Sequence, residues 1–113
     1  MPNSFMNREP ASPSAVFASS ATSSGAVRID QSAFGCIYLP AEFSGDTISF
    51  QGAEKEDGTF ALVYDDTGSL VSFVAVSAKW HQLHPAVMGM AYIKVITSVA
   101  TSGAATALLS LKS

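Results

Sequence analysis

Thr59-Phe60-Ala61-Leu62-Val63-Tyr64-Asp65-Asp66-Thr67-Gly68-Ser69-Leu70-Val71-Ser72-Phe73-Val74-Ala75-Val76 is the stretch whose reading decides the fold class. Two runs rich in β-branched and aromatic residues flank Asp65-Asp66-Thr67-Gly68. That tetrapeptide has hairpin chemistry, since Asp side chains bond their own backbone and Gly68 is free to take positive φ. The stretch predicts strands over 59–64 and 70–76 joined by a tight turn. Upstream, Thr47-Ile48-Ser49-Phe50-Gln51 alternates cleanly, with Ile48 and Phe50 on one face. A polar turn, Glu54-Lys55-Glu56-Asp57-Gly58, separates it from the next run. Further candidates are 26–29 and 36–39, the latter stopped by Pro40. Downstream the pattern predicts a short strand over 80–83, a helical turn over 85–89 and a strand over 91–96. Ala, Ser and Thr dominate 98–109, where a loop over 98–104 leading into an edge strand over 105–111 is preferred to a helix. Seven or eight short strands at regular spacing, with no amphipathic helix, predict an all-β fold: a single β-sandwich or jelly roll.

A chain of 113 residues has room for one domain and one core. Residues 1–24 differ from the rest, with Pro2, Pro10, Pro13 and a run of Ser, Ala and Thr. This composition predicts an extended N-terminal arm over 1–24 ahead of a β-sandwich over 25–113. Phe5 and Phe17 are large apolar side chains in that arm, so they are the expected anchors on a neighbouring subunit.

The hydrophobic fraction is 48% and the charged fraction 13%, a low share for a soluble domain. A surface so short of charge favours a chain covered by partners. Net charge is −3, and the six Lys and Arg are scattered singly, which excludes the clustered basic footprint of a nucleic-acid binder. Cys36 stands alone, so there is no internal disulfide and no cysteine-based zinc site. Its apolar setting, 34–39, predicts a buried thiol. No basic-then-apolar block opens the chain and no apolar run is long enough to span a bilayer. Synthesis in a reducing cytoplasm and no membrane partner are the expectations.

His81 and His84 have H-x-x-H spacing, but Gln82 stands where a metalloprotease has Glu, no third ligand is evident, and Pro85 disfavours helix at His84. A plain turn-region pair is the better reading, and no metal is expected. Glu54, Glu56, Asp57, Asp65 and Asp66 lack EF-hand spacing and read as solvated turns. There is no G-x-S-x-G elbow and no phosphate-cradling glycine loop. Neither catalytic residues nor a cofactor is expected. Phe50, Phe60 and Phe73 read as core. Tyr64 and Trp80 lie at strand ends, where aromatics pack at the rim of a core or serve as surface contacts for proteins or sugars.

Four segments follow one another in a familiar order: Tyr38-Leu39-Pro40-Ala41-Glu42-Phe43-Ser44-Gly45, Ile48-Ser49-Phe50-Gln51-Gly52, Asp57-Gly58-Thr59-Phe60 and Tyr92-Ile93-Lys94-Val95. In this the chain resembles small virion structural proteins of tailed phages, and also discoidin-like β-sandwiches. The similarity covers 34–111 and leaves the arm unmatched; Ala53 departs from the Ser usual in that group. The resemblance implies a capsid decoration (cement) protein that stabilises the assembled major capsid lattice, acting as a homo-oligomer, commonly a trimer, and located in the virion. The alternative is a carbohydrate-binding or adaptor module on a tail or head surface, with Trp80, Tyr64 and loop carboxylates forming the site.

Overall fold

The computed structural model describes residues 13–30, 32–76 and 78–112. Its strands, in chain order, are β1 Ser14–Phe17, β2 Val27–Arg28, β3 Phe34–Leu39, β4 Thr47–Ala53, β5 Ala61–Leu62, β6 Ser72–Val74, β7 Lys79–Gln82, β8 Tyr92–Thr97 and β9 Ala105–Lys112. One helical turn, α1 Pro85–Met88, falls where Pro85 predicts it. The strands form two antiparallel sheets, β1-β9-β3-β7 and β2-β8-β4-β5, with β6 also paired to β4. The protein is therefore an all-β sandwich.

Period-two alternation explains the two layers. In the first sheet Gly35, Ile37 and Leu39 of β3 and Ala105, Ala107, Leu109 and Leu111 of β9 are buried. In the second, Ile48 and Phe50 of β4 face inward beside Val95 and Ile93 of β8. These side chains meet in one core, capped by Phe43 and Val87 from the connections. Burial on this scale is the main favourable term in folding.

Residues 14–24, expected to belong to the arm, are part of the sandwich. Residues 14–17 form β1, paired with β9 from Ser14↔Leu108 to Phe17↔Ala105. Phe17 is fully buried, its ring 4.9 Å from that of Phe43. It is a core residue of its own domain, which corrects the expectation of an anchor on a neighbour. Residues 20–24 are bonded in as well. Ser20 N–H donates to the Thr101 carbonyl at 2.8 Å, and Ser24 N–H donates to the Val95 carbonyl at 2.9 Å. The Ser24 hydroxyl accepts from Val95 N–H at 2.9 Å. A Ser- and Ala-rich stretch looks solvent-loving in composition, but here its backbone groups complete the ladder of their neighbours. Phe5 lies outside the described residues.

A second correction concerns β9, expected at an edge. Because β1 covers one side and β3 the other, β9 is central. The hairpin also differs from its sequence reading in length. The chain leaves the edge of β4 after Leu62, runs through 63–71 as a narrow excursion, and rejoins β4 at Ser72. The excursion is held by the Tyr64↔Leu70 bridge and the Asp65 N–H bond to Ser69. Gly68 has φ +85, as its place in the turn requires.

Candidate binding surfaces

Alternation that buries one face of the first sheet turns the other to solvent. Registers Ser14↔Leu108, Leu108↔Tyr38 and Tyr38↔Trp80 place these four side chains in one row across the sheet. Trp80 and Tyr38 touch, with ring centroids 5.5 Å apart. Val16, Phe34, Trp80 and Leu108 are about half exposed, at 55%, 54%, 54% and 44%. Phe34, Cys36 and Trp80 line a shallow groove of about 260 Å³ whose charged member is Lys112. Cys36 is accordingly a partly exposed thiol on this face, not the buried one expected, because Gly35 and Ile37 take the inward positions. Four strands about 4.8 Å apart and four to eight residues long give a face on the order of 350 Å² in flat projection. Ser14, Thr106, Ser110, Gln82 and Lys112 share this face with the apolar side chains, and the largest apolar patch of a protein is often functional.

The outer face of the second sheet is more polar. Gln51 pairs with Lys94 and Arg28 with Tyr92. Lys94 Nζ sits 4.4 Å from the centre of the Phe60 ring, so Phe60, expected in the core, is half-buried beneath a cation. Arg28 Nε donates to Asp30 at 2.7 Å. That bond raises the guanidinium pKa and lowers that of the carboxyl. An exposed pair of this kind contributes little to stability.

Between the sheets, where β7 faces β6 and the 63–71 excursion, lies a cleft of about 440 Å³. Phe50, Phe73 and Leu83 belong to its apolar wall and Asp65, His81 and His84 supply polar side chains, while Ser72 and Gln82 border it from exposed positions that alternate with Phe73 and His81. His81 stacks on Phe73 at 4.6 Å across the gap between sheets. Its Nε2 accepts from Val76 N–H at 3.1 Å, which leaves the proton of the neutral ring on Nδ1. That buried Nδ1 has no partner among the described residues. His84 Nδ1 accepts from Ala86 N–H at 3.0 Å and so caps α1, leaving Nε2 as its donor.

Asp65 is fixed through one oxygen. Its Oδ1 accepts from the Thr67 hydroxyl at 2.7 Å and from Thr67 N–H and Ser69 N–H, both at 2.9 Å. The Thr67 hydroxyl and the Ser69 N–H lead in holding this carboxyl below its ordinary pKa.

The H-x-x-H pair thus lines one cleft with its nitrogens engaged separately, His81 on a strand and His84 at a helix cap. Among the described residues no three His, Cys, Asp or Glu lie close enough together to hold a metal ion. No helix of the described residues is long and apolar enough to cross a membrane. Tyr64 and Trp80 are both about half exposed, but Trp80 belongs to the first sheet and Tyr64 to the excursion from the second. Sequence reasoning missed Phe34, Tyr38 and Leu108 as surface residues. The alternation of β3 and β9 carried the signal, but its sign depended on which face the second sheet covers.

Among solved structures the chain is similar to the SPBc2 prophage-derived protein YomS, with a TM-score of 0.54 at 14% sequence identity, over 92% of this chain and 95% of that one. The likeness spans the whole sandwich and is a likeness of fold. No protein-family model matches the chain, and no curated protein matches it.

Proposed function

We propose that this protein is a phage virion structural protein that works by binding other proteins, and that within this class it is a capsid decoration (cement) protein. The observation that carries the reading is the outer face of β1-β9-β3-β7, where Val16, Phe34, Tyr38, Trp80 and Leu108 stand on one surface with little charge among them. The fold shared with a prophage-derived protein supports the phage context. A binder that recognises only the assembled lattice stabilises it by mass action. Many weak copies on a symmetric shell, or copies joined as a homo-oligomer, gain avidity.

β1, the first described strand, lies at the edge of this sheet. Phe5 is eight residues upstream of Pro13, within about 26 Å of extended chain, and is the proposed reach to a neighbouring subunit.

The test is co-sedimentation of the purified protein with undecorated heads of the phage that carries the gene, and with unassembled major capsid protein. Binding to heads, with Trp80→Lys abolishing it, is the expected result. Equal head binding by the Trp80→Lys protein, or none by the native chain, would overturn the reading. Light scattering on the same sample checks for the trimer.

A further inference from the structure

Side chains alternate along β7. Trp80 and Gln82 face outward with Tyr38 and Cys36, their partners in β3, while His81, opposite Ile37, turns toward the second sheet. There it joins the two layers on the open side of the sandwich. Its ring lies 4.6 Å from that of Phe73 in β6, at an interplanar angle of 24°. Its Nε2 accepts from the N–H of Val76, in the connection that leads from β6 to β7. An accepting nitrogen carries no proton, so this contact belongs to the neutral ring with its hydrogen on Nδ1. A second proton would put N–H groups on both nitrogens. Nε2–H would then point at Val76 N–H, donor against donor. The positive charge would also be shared by Nδ1–H, which is buried and has no acceptor among the described residues.

The groups around the ring do not compensate. From the excursion Asp65 faces the cleft, but it is partly exposed and its Oδ1 already takes three bonds from Thr67 and Ser69. Screening by water and salt makes a charge so placed a small effect beside a direct hydrogen bond of 3.1 Å. His84, in the turn after β7, brings a second imidazole, and Lys79, two residues before His81 on the same side of the strand, brings a positive charge. β3, β4 and β6 contribute Ile37, Phe50 and Phe73. Beside the ring lies the cleft of about 440 Å³, room into which it can turn. We propose that His81 is a proton-operated latch across the open side of the sandwich. Neutral, it fastens β7 to β6 and to the connection between them. Protonated, it drops Val76, leaves the Phe73 ring and turns into the cleft toward water. Histidine side chains change charge between about pH 5 and 8. The latch is closed at the upper end of that range and opens as pH falls. It uses neither Trp80 nor any other residue of the apolar face, so it stands whether or not the capsid-binding reading does.

The experiment is NMR of the full chain titrated from about pH 8 to 5 at constant salt, following the imidazole nitrogens, the Val76 amide and the Phe73 ring protons. At the upper end His81 should carry its proton on Nδ1. As pH falls, the His81 nitrogens, the Val76 amide and the Phe73 ring should shift together with a common midpoint. Protection of the Val76 amide, corrected for the intrinsic pH dependence of exchange, should drop about fivefold, the equivalent of one hydrogen bond. His81→Gln supplies an acceptor that does not titrate, so it should hold Val76 without a transition. His81→Phe keeps an aromatic partner for Phe73 but no acceptor, so Val76 should be unprotected at every pH. His84→Asn, which retains a capping acceptor for α1, should leave the transition where it is. The proposal falls if His81 carries its proton on Nε2 at the upper end, stays neutral to the lower end, or titrates while Val76 and Phe73 do not move. A transition that survives His81→Gln, or vanishes in His84→Asn, would also overturn it by placing the sensor elsewhere. The tautomer and the coupled shifts are read on the native chain, so the test holds even where a variant fails to fold.

Discussion

At Phe17 two aromatic rings, neither reached by solvent, meet with centroids 4.9 Å apart. Truncating one of them leaves a cavity that the sheet cannot close, so Phe17→Ala should lower the unfolding free energy by about 3–5 kcal/mol. Urea denaturation measures it, and a cost below about 1 kcal/mol would mean that Phe17 is not a core residue. Two inward glycines give a sharper contrast. A Cβ on Gly35 would stand 2.6 Å from Leu111 Cδ2 and 2.8 Å from the Ser110 carbonyl oxygen, which is backbone of the neighbouring strand. At Gly52 the obstruction is the side chain of Met90, whose sulfur would lie 2.5 Å away. Methionine can rotate aside; a strand cannot. Gly35→Ala should therefore cost about 1–3 kcal/mol and Gly52→Ala less. Thermal melts of the two variants decide the order, and the reverse ranking would refute the argument.

On the scale of elements, the informative strand is β1. It is short, yet it covers one side of β9 and brings Phe17 into the core. The described sandwich begins at Pro13, so removing residues 1–12 leaves every described strand in place. Removing 1–17 exposes the β9 edge and empties the Phe17 site, and an uncovered edge strand invites pairing with other chains. The shorter truncation should melt within a few degrees of the native chain, whereas the longer one should aggregate or fail to fold. Circular dichroism melts and size-exclusion profiles distinguish the two. If the longer truncation behaves like the native chain, β1 is dispensable. The hairpin excursion shows how the same sheet edge serves two purposes. β5 and β6 pair with successive parts of β4, and the nine residues between them (63–71) swing out to bring Asp65 to the cleft.

For the molecule as a whole, the two outer faces differ because their alternating positions were filled differently. Leu108, Tyr38 and Trp80 stand on one, Lys94, Gln51 and Arg28 on the other. Trp80 touches Tyr38, yet it and Leu108 stay about half exposed, so Trp80→Lys with Leu108→Lys should change the unfolding free energy by only about 1 kcal/mol. Its effect belongs to association: light scattering at rising concentration should show weaker self-association than for the native chain. A large loss of stability would instead mean that these side chains are part of the fold.

The sequence by itself determined the fold class. Alternation at 47–51, the turn chemistry of 65–68 with Gly68, and Pro85 opening a helical turn are local signals, and local backbone preference is written in neighbouring residues. Low charge and a lone cysteine were legible for the same reason. Tertiary structure alone decided that 14–24 belongs to the sandwich, because small polar residues become strand or loop according to what lies beside them, and β9 offered a free edge. It decided that Cys36 faces outward and Phe17 inward, since period two fixes which residues share a face but not which face is covered. It also assembled the cleft. Asp65 lies in the excursion from the second sheet, whereas His81 and His84 lie in and just after the edge strand of the first, and their approach depends on how two sheets pack, a long-range fact that no spacing in the chain records.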